Sequence, residues 1–448
     1  MRGILLLAFM LISVPICFFN PYYGVLMWYW VSYFNPHRFT YGFTYNLPVA
    51  QLVAAPTLAG LFFVKKSFRP LLTSESFLLI ALWLWFTVTY VHASGVPLFA
   101  GNMPDATYEI SHMSKIFLMT FVMIILVTSK ERLRSVLLIS AGSLGMLALR
   151  GAVFGVRTAG ESRVWGPPDS FLSDNNGFAL ALNVCLPILF YLARTEKRRW
   201  LRIFLWFLFV CSLAAVMLTY SRGGLLGMAV VLLMLAMKSR HKLLSVVVIV
   251  TAGLIVVAFA PGAWMERMNR FAKGDLDQTA NQRLVAWETA WRFSQDYPVM
   301  GGGFDVLPNV SVFQRYQARP LPGDLISCGP HSIYFQLLAD HGFVGLFLFI
   351  ALVCSCFWTL LRIRQRARRI PEAEWLIDYT QMIEIGLMAF MASGAFLGFV
   401  YLDLIYQIIG TAVVLKILFR KQIQLIPEQQ GAEQLSDTSL VEEVPATA

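Results

Sequence analysis

The feature that most limits what this chain can fold into is a rhythm. Apolar stretches long enough to cross a bilayer, about 20 residues each, recur from one end to the other. They fall near 3–19, 47–64, 74–92, 110–128, 134–153, 176–194, 200–219, 223–238, 243–260, 333–361, 380–400 and 402–419. In hydrocarbon such a segment must satisfy its own backbone, so each is read as a helix. The composition agrees. Charged residues make up only 14% of the 448 and hydrophobic ones 57%, whereas a soluble domain carries about 25% charge. A soluble enzyme is therefore excluded, and the fold class is an all-α polytopic membrane protein of about twelve transmembrane helices, with the lipid bilayer as its first partner. The six cysteines show neither CxxC nor metal-ligand spacing, so neither a disulfide framework nor a structural zinc site is expected.

The formal charge of +10 would suggest nucleic acid in a soluble chain. Here most of the basic residues sit at alternate helix ends: Arg2, Lys65/Lys66/Arg69, Lys130/Arg132/Arg134, Arg194–Arg202, Lys238/Arg240/Lys242, Arg362–Arg369 and Lys416/Arg420/Lys421. The positive-inside rule makes that end cytoplasmic. The surplus reports topology, and no nucleic-acid partner is expected. With both termini inside, residues 1–34 cross once, and 22–34 lies in the outer interface or re-enters. Thirteen crossings with the N-terminus outside is the alternative, which Arg2 opposes. Met-Arg-Gly and the apolar run after it are similar to a secretory signal without a cleavage site, and are read as an uncleaved first span. Residues 422–448 are acidic and polar and read as a disordered cytoplasmic tail. The expected organisation is an N-terminal transmembrane bundle (1–260), an outer loop with amphipathic helices (261–332), C-terminal transmembrane helices (333–421) and the tail.

Polar outer segments remain at 35–46, 93–109, 154–175 and 261–332. The long loop balances its basic and acidic residues, so it is no general anion sponge. Trp264, Met268 and Phe271 recur at helical spacing, as do Leu284, Trp287 and Trp291, with Arg283 and Arg292 on the polar side. Such helices lie on a membrane surface or cap a cavity. Gly301-Gly302-Gly303 permits a tight turn or a close backbone approach.

His331, in Gly329-Pro330-His331-Ser332, stands where the loop enters a hydrophobic run of about 46 Å at 1.5 Å per residue. That exceeds a bilayer core, and Asp340-His341-Gly342 interrupts it. A histidine at the outer interface has the pKa range of a general base, or it simply caps the helix. Arg222, in Thr219-Tyr220-Ser221-Arg222-Gly223-Gly224, can offer a guanidinium fork and backbone amides to one anion, or it snorkels to headgroups. His112 and Lys115 share a helix face. Arg150 lies near an outer helix end, and Arg157 and Arg163 lie in the outer loop, where each either lines an anionic pocket or faces water. Asp275-Leu276-Asp277 has a DxD form without a supporting carboxylate cluster, so no metal is expected. Neither a P-loop nor a dinucleotide motif is present, and no cofactor is expected. The paired broken helices of many transporters are not evident.

These residues together resemble the O-antigen ligase superfamily: Ser221-Arg222-Gly223 before a long outer loop, Arg283, Trp287, Trp291 and Gly301-Gly302-Gly303-Phe304 within it, and Pro330-His331-Ser332 with Asp340-His341-Gly342 at its exit. The N-terminal half, with Asn35-Pro36-His37-Arg38, is similar to the branch described as exosortase-associated O-glycosylation ligases. Members often have His-Asn where this chain has His331-Ser332, and Glu where it has Asp340. The resemblance implies a GT-C-like membrane glycosyltransferase of the bacterial inner membrane with a periplasmic active site. It would move a glycan from undecaprenyl diphosphate to a sugar hydroxyl of lipid A–core, metal-independent and inverting. His331 would be the base. Arg222 and Arg283 would bind diphosphate, with Arg163, Arg150 and Tyr220 as further substrate contacts. Within the superfamily, an O-antigen polymerase and a protein O-oligosaccharyltransferase are the competing activities. A polysaccharide flippase or transporter is the competing class.

Overall fold

The computed structural model describes residues 1–239, 241–243, 247, 251, 262, 278–323 and 325–441, with side chains to 424. Among these residues the regular structure is entirely helical. The helices are α1 (Arg2–Phe19), α2 (Pro21–Phe34), α3 (Val49–Leu61), α4 (Ser74–Ser94), α5 (Met103–Leu126), α6 (Lys130–Arg157) and α7 (Asn175–Thr195). They continue with α8 (Arg199–Leu218), α9 (Arg222–Lys238), α10 (Gln278–Asp296), α11 (Val310–Tyr316), α12 (Ile333–Ala367), α13 (Trp375–Gly394) and α14 (Asp403–Val441). Among the described residues, seven are long and apolar enough to cross a membrane: α1, α4, α5 with the turn before it, α6, α7, α8 and α12. The protein is a multi-pass membrane protein. Most of the run 243–260, together with Trp264, Met268, Phe271, Asp275 and Asp277, lies outside the described residues.

Ion pairs gather the basic clusters at one end of the bundle. Arg134 pairs with Glu196, Arg194 with Asp378 at 2.8 Å, Lys238 and Arg364 both with Glu384, and Lys416 with the buried Glu75 at 2.7 Å. We call this the basic end. Lipid-facing helix ends gain little from isolated surface pairs, but Glu384 holds two cations in a half-buried setting and ties α9, α12 and α13 together.

The packing of residues 1–34 bears on the expected single crossing. The Tyr22 hydroxyl donates to the Arg132 carbonyl at 3.0 Å, and the Arg132 guanidinium lies 4.8 Å above the Tyr22 ring. The start of α2 is therefore at the basic end. Its far end leads to Phe39, which stacks under Arg150 near the opposite end of α6. Going back along α1, Phe18 is so close to Gly60 that a Cβ there would lie 1.9 Å from the Phe18 carbonyl oxygen, and Gly3 abuts Thr44. So α1 and α2 run along the bundle twice, and Arg2 sits opposite the other basic clusters. The single cation Arg2 is outweighed by packing: α2, though about 21 Å long at 14 residues, buries Val25, Trp28, Tyr29 and Tyr33 against the core.

At the C-terminus α14 runs on to Val441, past the point at 422 where composition reads as a tail.

The long hydrophobic helix α12 is broken where its sequence is interrupted. Gly342 has φ +66, and a Cβ there would meet the Val299 carbonyl at 2.2 Å. The break frees two carbonyls, and the triple glycine captures them. Gly302 N–H donates to Ala339 O and Gly303 N–H to Asp340 O, both at 2.9 Å, while Phe343 N–H donates to Pro298 O at 2.8 Å. Below this backbone joint is a buried polar cluster. The Tyr401 hydroxyl donates to Asp340 Oδ2 at 2.6 Å and lies 2.9 Å from His341 Nε2, while His341 Nδ1 meets Thr89 Oγ1 at 2.7 Å. Asp340 Oδ1 accepts from Val306 N–H at 3.1 Å. Phe86 stacks on the His341 ring with centroids 4.1 Å apart. The joint fixes the segment 298–306 against α4, α12 and Tyr401.

Candidate functional site

Opposite the basic end, α9 begins at Arg222. Ser221 is its N-cap: the Ser221 Oγ accepts from Gly224 N–H at 3.1 Å and donates to Asn176 Oδ1 at 2.7 Å. Asn183 Nδ2 donates to the Gly224 carbonyl at 2.7 Å, and Asn175 Nδ2 to the Thr219 carbonyl at 2.8 Å. Small glycines let α7 come this close: a Cβ on Gly224 would stand 2.6 Å from that of Ala179. The first turn of α9 is thus held rigidly, with its positive dipole end and the Arg222 guanidinium on one side.

That side is a cavity of about 340 Å³ lined by Arg222, Gly223 and Leu226 of α9, Arg283 and Trp287 of α10, and Phe396. The structure brings together two arginines that lie far apart in sequence. Both are half-buried. Trp287 sets the position of α10: its indole stacks on Phe335 with centroids 5.3 Å apart, and its Nε1–H donates to the Pro330 carbonyl at 2.7 Å. This hydrogen bond places the residue after Pro330 beside α10.

That residue is His331. Its φ is +46, a left-handed conformation that a non-glycine residue adopts at a cost of order 1 kcal/mol or more. Its ring is exposed, so solvent and ligand reach it. The protein around it still removes enough water to lower its pKa below the ordinary 6.5; Arg283 nearby lowers it further, and Asp174 opposes both. At neutral pH the imidazole is therefore uncharged and able to take a proton. Asp174 is itself the N-cap of α7, accepting from Asn176 and Gly177 N–H at 2.8 and 3.1 Å. The capping signal Asp174-Asn175-Asn176-Gly177 is readable in sequence, but not its nearness to the histidine.

The remaining candidates separate. The Tyr220 hydroxyl points away from the cavity and donates to the Gly160 carbonyl; the residue is buried at φ +55. It stitches the loop 158–166 onto the α8–α9 turn. Arg150 and Arg163 line another cavity, described below. His112 stacks on Phe171 with centroids 3.8 Å apart, and the Tyr108 ring lies parallel to both. A third cavity, about 180 Å³, is lined by Glu109, Asp305, Gln336 and Tyr401. Burial, helped by Asp105, pushes the Asp305 carboxyl up to about 6. One Glu109 oxygen is buried without a hydrogen-bond partner. Neither carboxylate was singled out from sequence, although an acidic residue inside an apolar segment is the usual mark of a working group. Gly398 separates this cavity from the His331 backbone, whose Cα would be 3.4 Å from a Cβ at Gly398.

The fold and this arrangement define a multi-pass membrane protein with a cationic, half-buried cavity beside an exposed histidine. Comparison with known proteins points the same way over part of the chain. Residues 207–350 match the family model described as O-Antigen ligase, which supports the resemblance to that superfamily and a ligase- or polymerase-type membrane glycosyltransferase. Residues 1–197 match a family of unknown function (DUF5935). No curated protein matches the chain significantly. Arg222, Arg283 and His331 all fall within the O-antigen ligase match; Arg150 and Arg163 fall within the other.

Proposed function

We propose that the protein is an O-antigen ligase that transfers a glycan from undecaprenyl diphosphate to a sugar hydroxyl of lipid A–core at the periplasmic face of the bacterial inner membrane. The observation that carries this reading is the pairing of Arg222 and Arg283 in one cavity beside His331. A sugar hydroxyl is a poor nucleophile and gains from a base. Diphosphate is a good leaving group and needs positive charge on the departing oxygens, which fixed guanidiniums supply.

In the proposed step the acceptor oxygen attacks the anomeric carbon and its proton passes to the neutral His331 ring. The bond from that carbon to the diphosphate oxygen breaks on the opposite face, so the anomeric configuration inverts. Undecaprenyl diphosphate leaves against Arg222 and Arg283, and the imidazolium returns its proton to water. The step uses no metal. Trp287 and Phe396 form the apolar wall that suits a lipid-linked donor.

The test is transfer by purified protein from lipid-linked glycan to lipid A–core, with and without chelator. Wild type should transfer in both. His331→Ala should lose about 100-fold or more, the ordinary share of a general base, while still retaining donor. Wild-type activity in His331→Ala sinks the base assignment. Extension of the lipid-linked glycan without transfer to lipid A–core would instead identify a polymerase.

A further inference from the structure

The N-terminal region has a cavity of its own, of about 190 Å³, into which Arg150, Arg163 and Trp165 face. Every residue lining it belongs to the segment that matches a family of unknown function, and none lines the cavity of Arg222 and Arg283. The cavity is constructed by close contacts. At Gly151 of α6 a Cβ would lie 2.6 Å from the Val164 side chain, and at Gly166 one would lie 1.8 Å from the Leu172 carbonyl oxygen. Val164 N–H donates to the Leu218 carbonyl at 2.9 Å, and Tyr220 holds Gly160. The loop is thereby closed over the outer part of α6 rather than left free.

Arg150 is prepared for a ligand. Its guanidinium carbon lies 4.5 Å from the centroid of the Phe39 ring, a cation–π contact that anchors the side chain at the cavity. Among the described residues, neither Arg150 nor Arg163 has a carboxylate partner. Two uncompensated guanidiniums facing one small cavity favour an anion of tetrahedral, many-oxygened form over a simple carboxylate, because each can offer a fork. The exposed indole of Trp165 adds a flat apolar surface beside them.

We infer that this cavity is a second anion site, which binds a phosphate group carried on a saccharide or on a lipid headgroup, separate from the site at Arg222 and Arg283. The inference goes beyond the transfer reading and does not depend on it. Its readout is binding, so the base and donor assignments can fail without touching it. The fixed hydrogen bond from Val164 to Leu218, four residues before Arg222, puts the two cavities on neighbouring sides of one turn.

The experiment uses the full chain in phosphatidylcholine nanodiscs. Titration calorimetry compares glucose 6-phosphate, inorganic phosphate and glucose, and native mass spectrometry counts phosphatidylglycerol retained from mixed nanodiscs. Wild type should bind at least one phosphate probe and not glucose. Arg150→Gln with Arg163→Gln should weaken that binding at least tenfold, and the Lys pair should recover part of it. Arg163 is an exposed loop residue, so Arg163→Gln alone keeps the test open if the double variant folds poorly. Loss of glucose 6-phosphate binding alone identifies a sugar phosphate, and loss of retained phosphatidylglycerol alone a headgroup. Unchanged binding in the Gln variants, no binding of any phosphate probe by wild type, or loss caused by Arg222→Ala instead would each overturn the inference.

Discussion

At the residue scale, the charge state of His331 gives the sharpest expectation. Its pKa is held below 6.5 by the protein around it, which displaces part of its water, and then by Arg283, against Asp174. A base works only when neutral. The transfer rate should therefore be flat near pH 7 and fall as pH drops through a pKa below 6.5. Replacing Arg283 with Gln removes a cation that disfavours the imidazolium, so the acidic limb of the pH–rate profile should move to higher pH, whatever happens to the absolute rate. Asp174→Asn should move it lower, and it keeps the α7 cap because Asn caps as well as Asp. Limbs that stay in place in both variants would separate His331 from the titrating group. Arg222 gives a geometric expectation. Arg222→Lys keeps the charge but removes the planar fork, and transfer should fall at least tenfold. Full activity would mean that charge alone matters there.

At the scale of elements, the joint between α12 and the triple glycine holds the described part of the loop, from 278 on, against the bundle. Tyr401→Phe deletes the hydroxyl that donates to buried Asp340 and should destabilise the protein by about 1–3 kcal/mol, the usual cost of a buried polar group left unpaired. Gly301→Ala combines φ +62 with a Cβ 2.6 Å from Asp340 backbone atoms and should cost at least as much. Thermal unfolding in detergent reads both, and an unchanged midpoint in either refutes the joint. Both partners of this joint were visible in sequence, as an interruption at Asp340-His341-Gly342 and as a triple glycine suited to close approach. Their meeting was not, because spacing along a chain does not say which elements touch. The same limit separates the site residues. Arg222 and His331 stand at segment boundaries, which hydropathy marks well. The roles of Tyr220, turned onto Gly160, and of Glu109 and Asp305, sharing a cavity, depend on helix rotation and on which faces pack together.

At the scale of the whole molecule, the ion pairs put the basic clusters at one end and the three cavities described above at the other, with residues 1–34 passing twice. Apolar length alone could not reveal that double pass, since α2 has only 14 residues and its place comes from packing against α3 and α6. The arrangement predicts which side each position faces. A cysteine replacing Glu161, exposed in the loop over α6, should react with a membrane-impermeant maleimide in cells whose outer membrane has been opened. A cysteine replacing Lys197, exposed between α7 and α8, should react only after the inner membrane is broken. Position 2 decides the double pass: with α1 and α2 antiparallel across the bundle, Arg2→Cys should label like position 161. Labelling like position 197 would restore a single crossing for residues 1–34. The exposed native Cys354 and the half-buried Cys328 are replaced by Ser in every variant, so that the signal belongs to the introduced thiol. If positions 161 and 197 exchanged behaviour, His331 would face the cytoplasm, and a reaction with periplasmic substrates would be ruled out whatever the chemistry of its cavity.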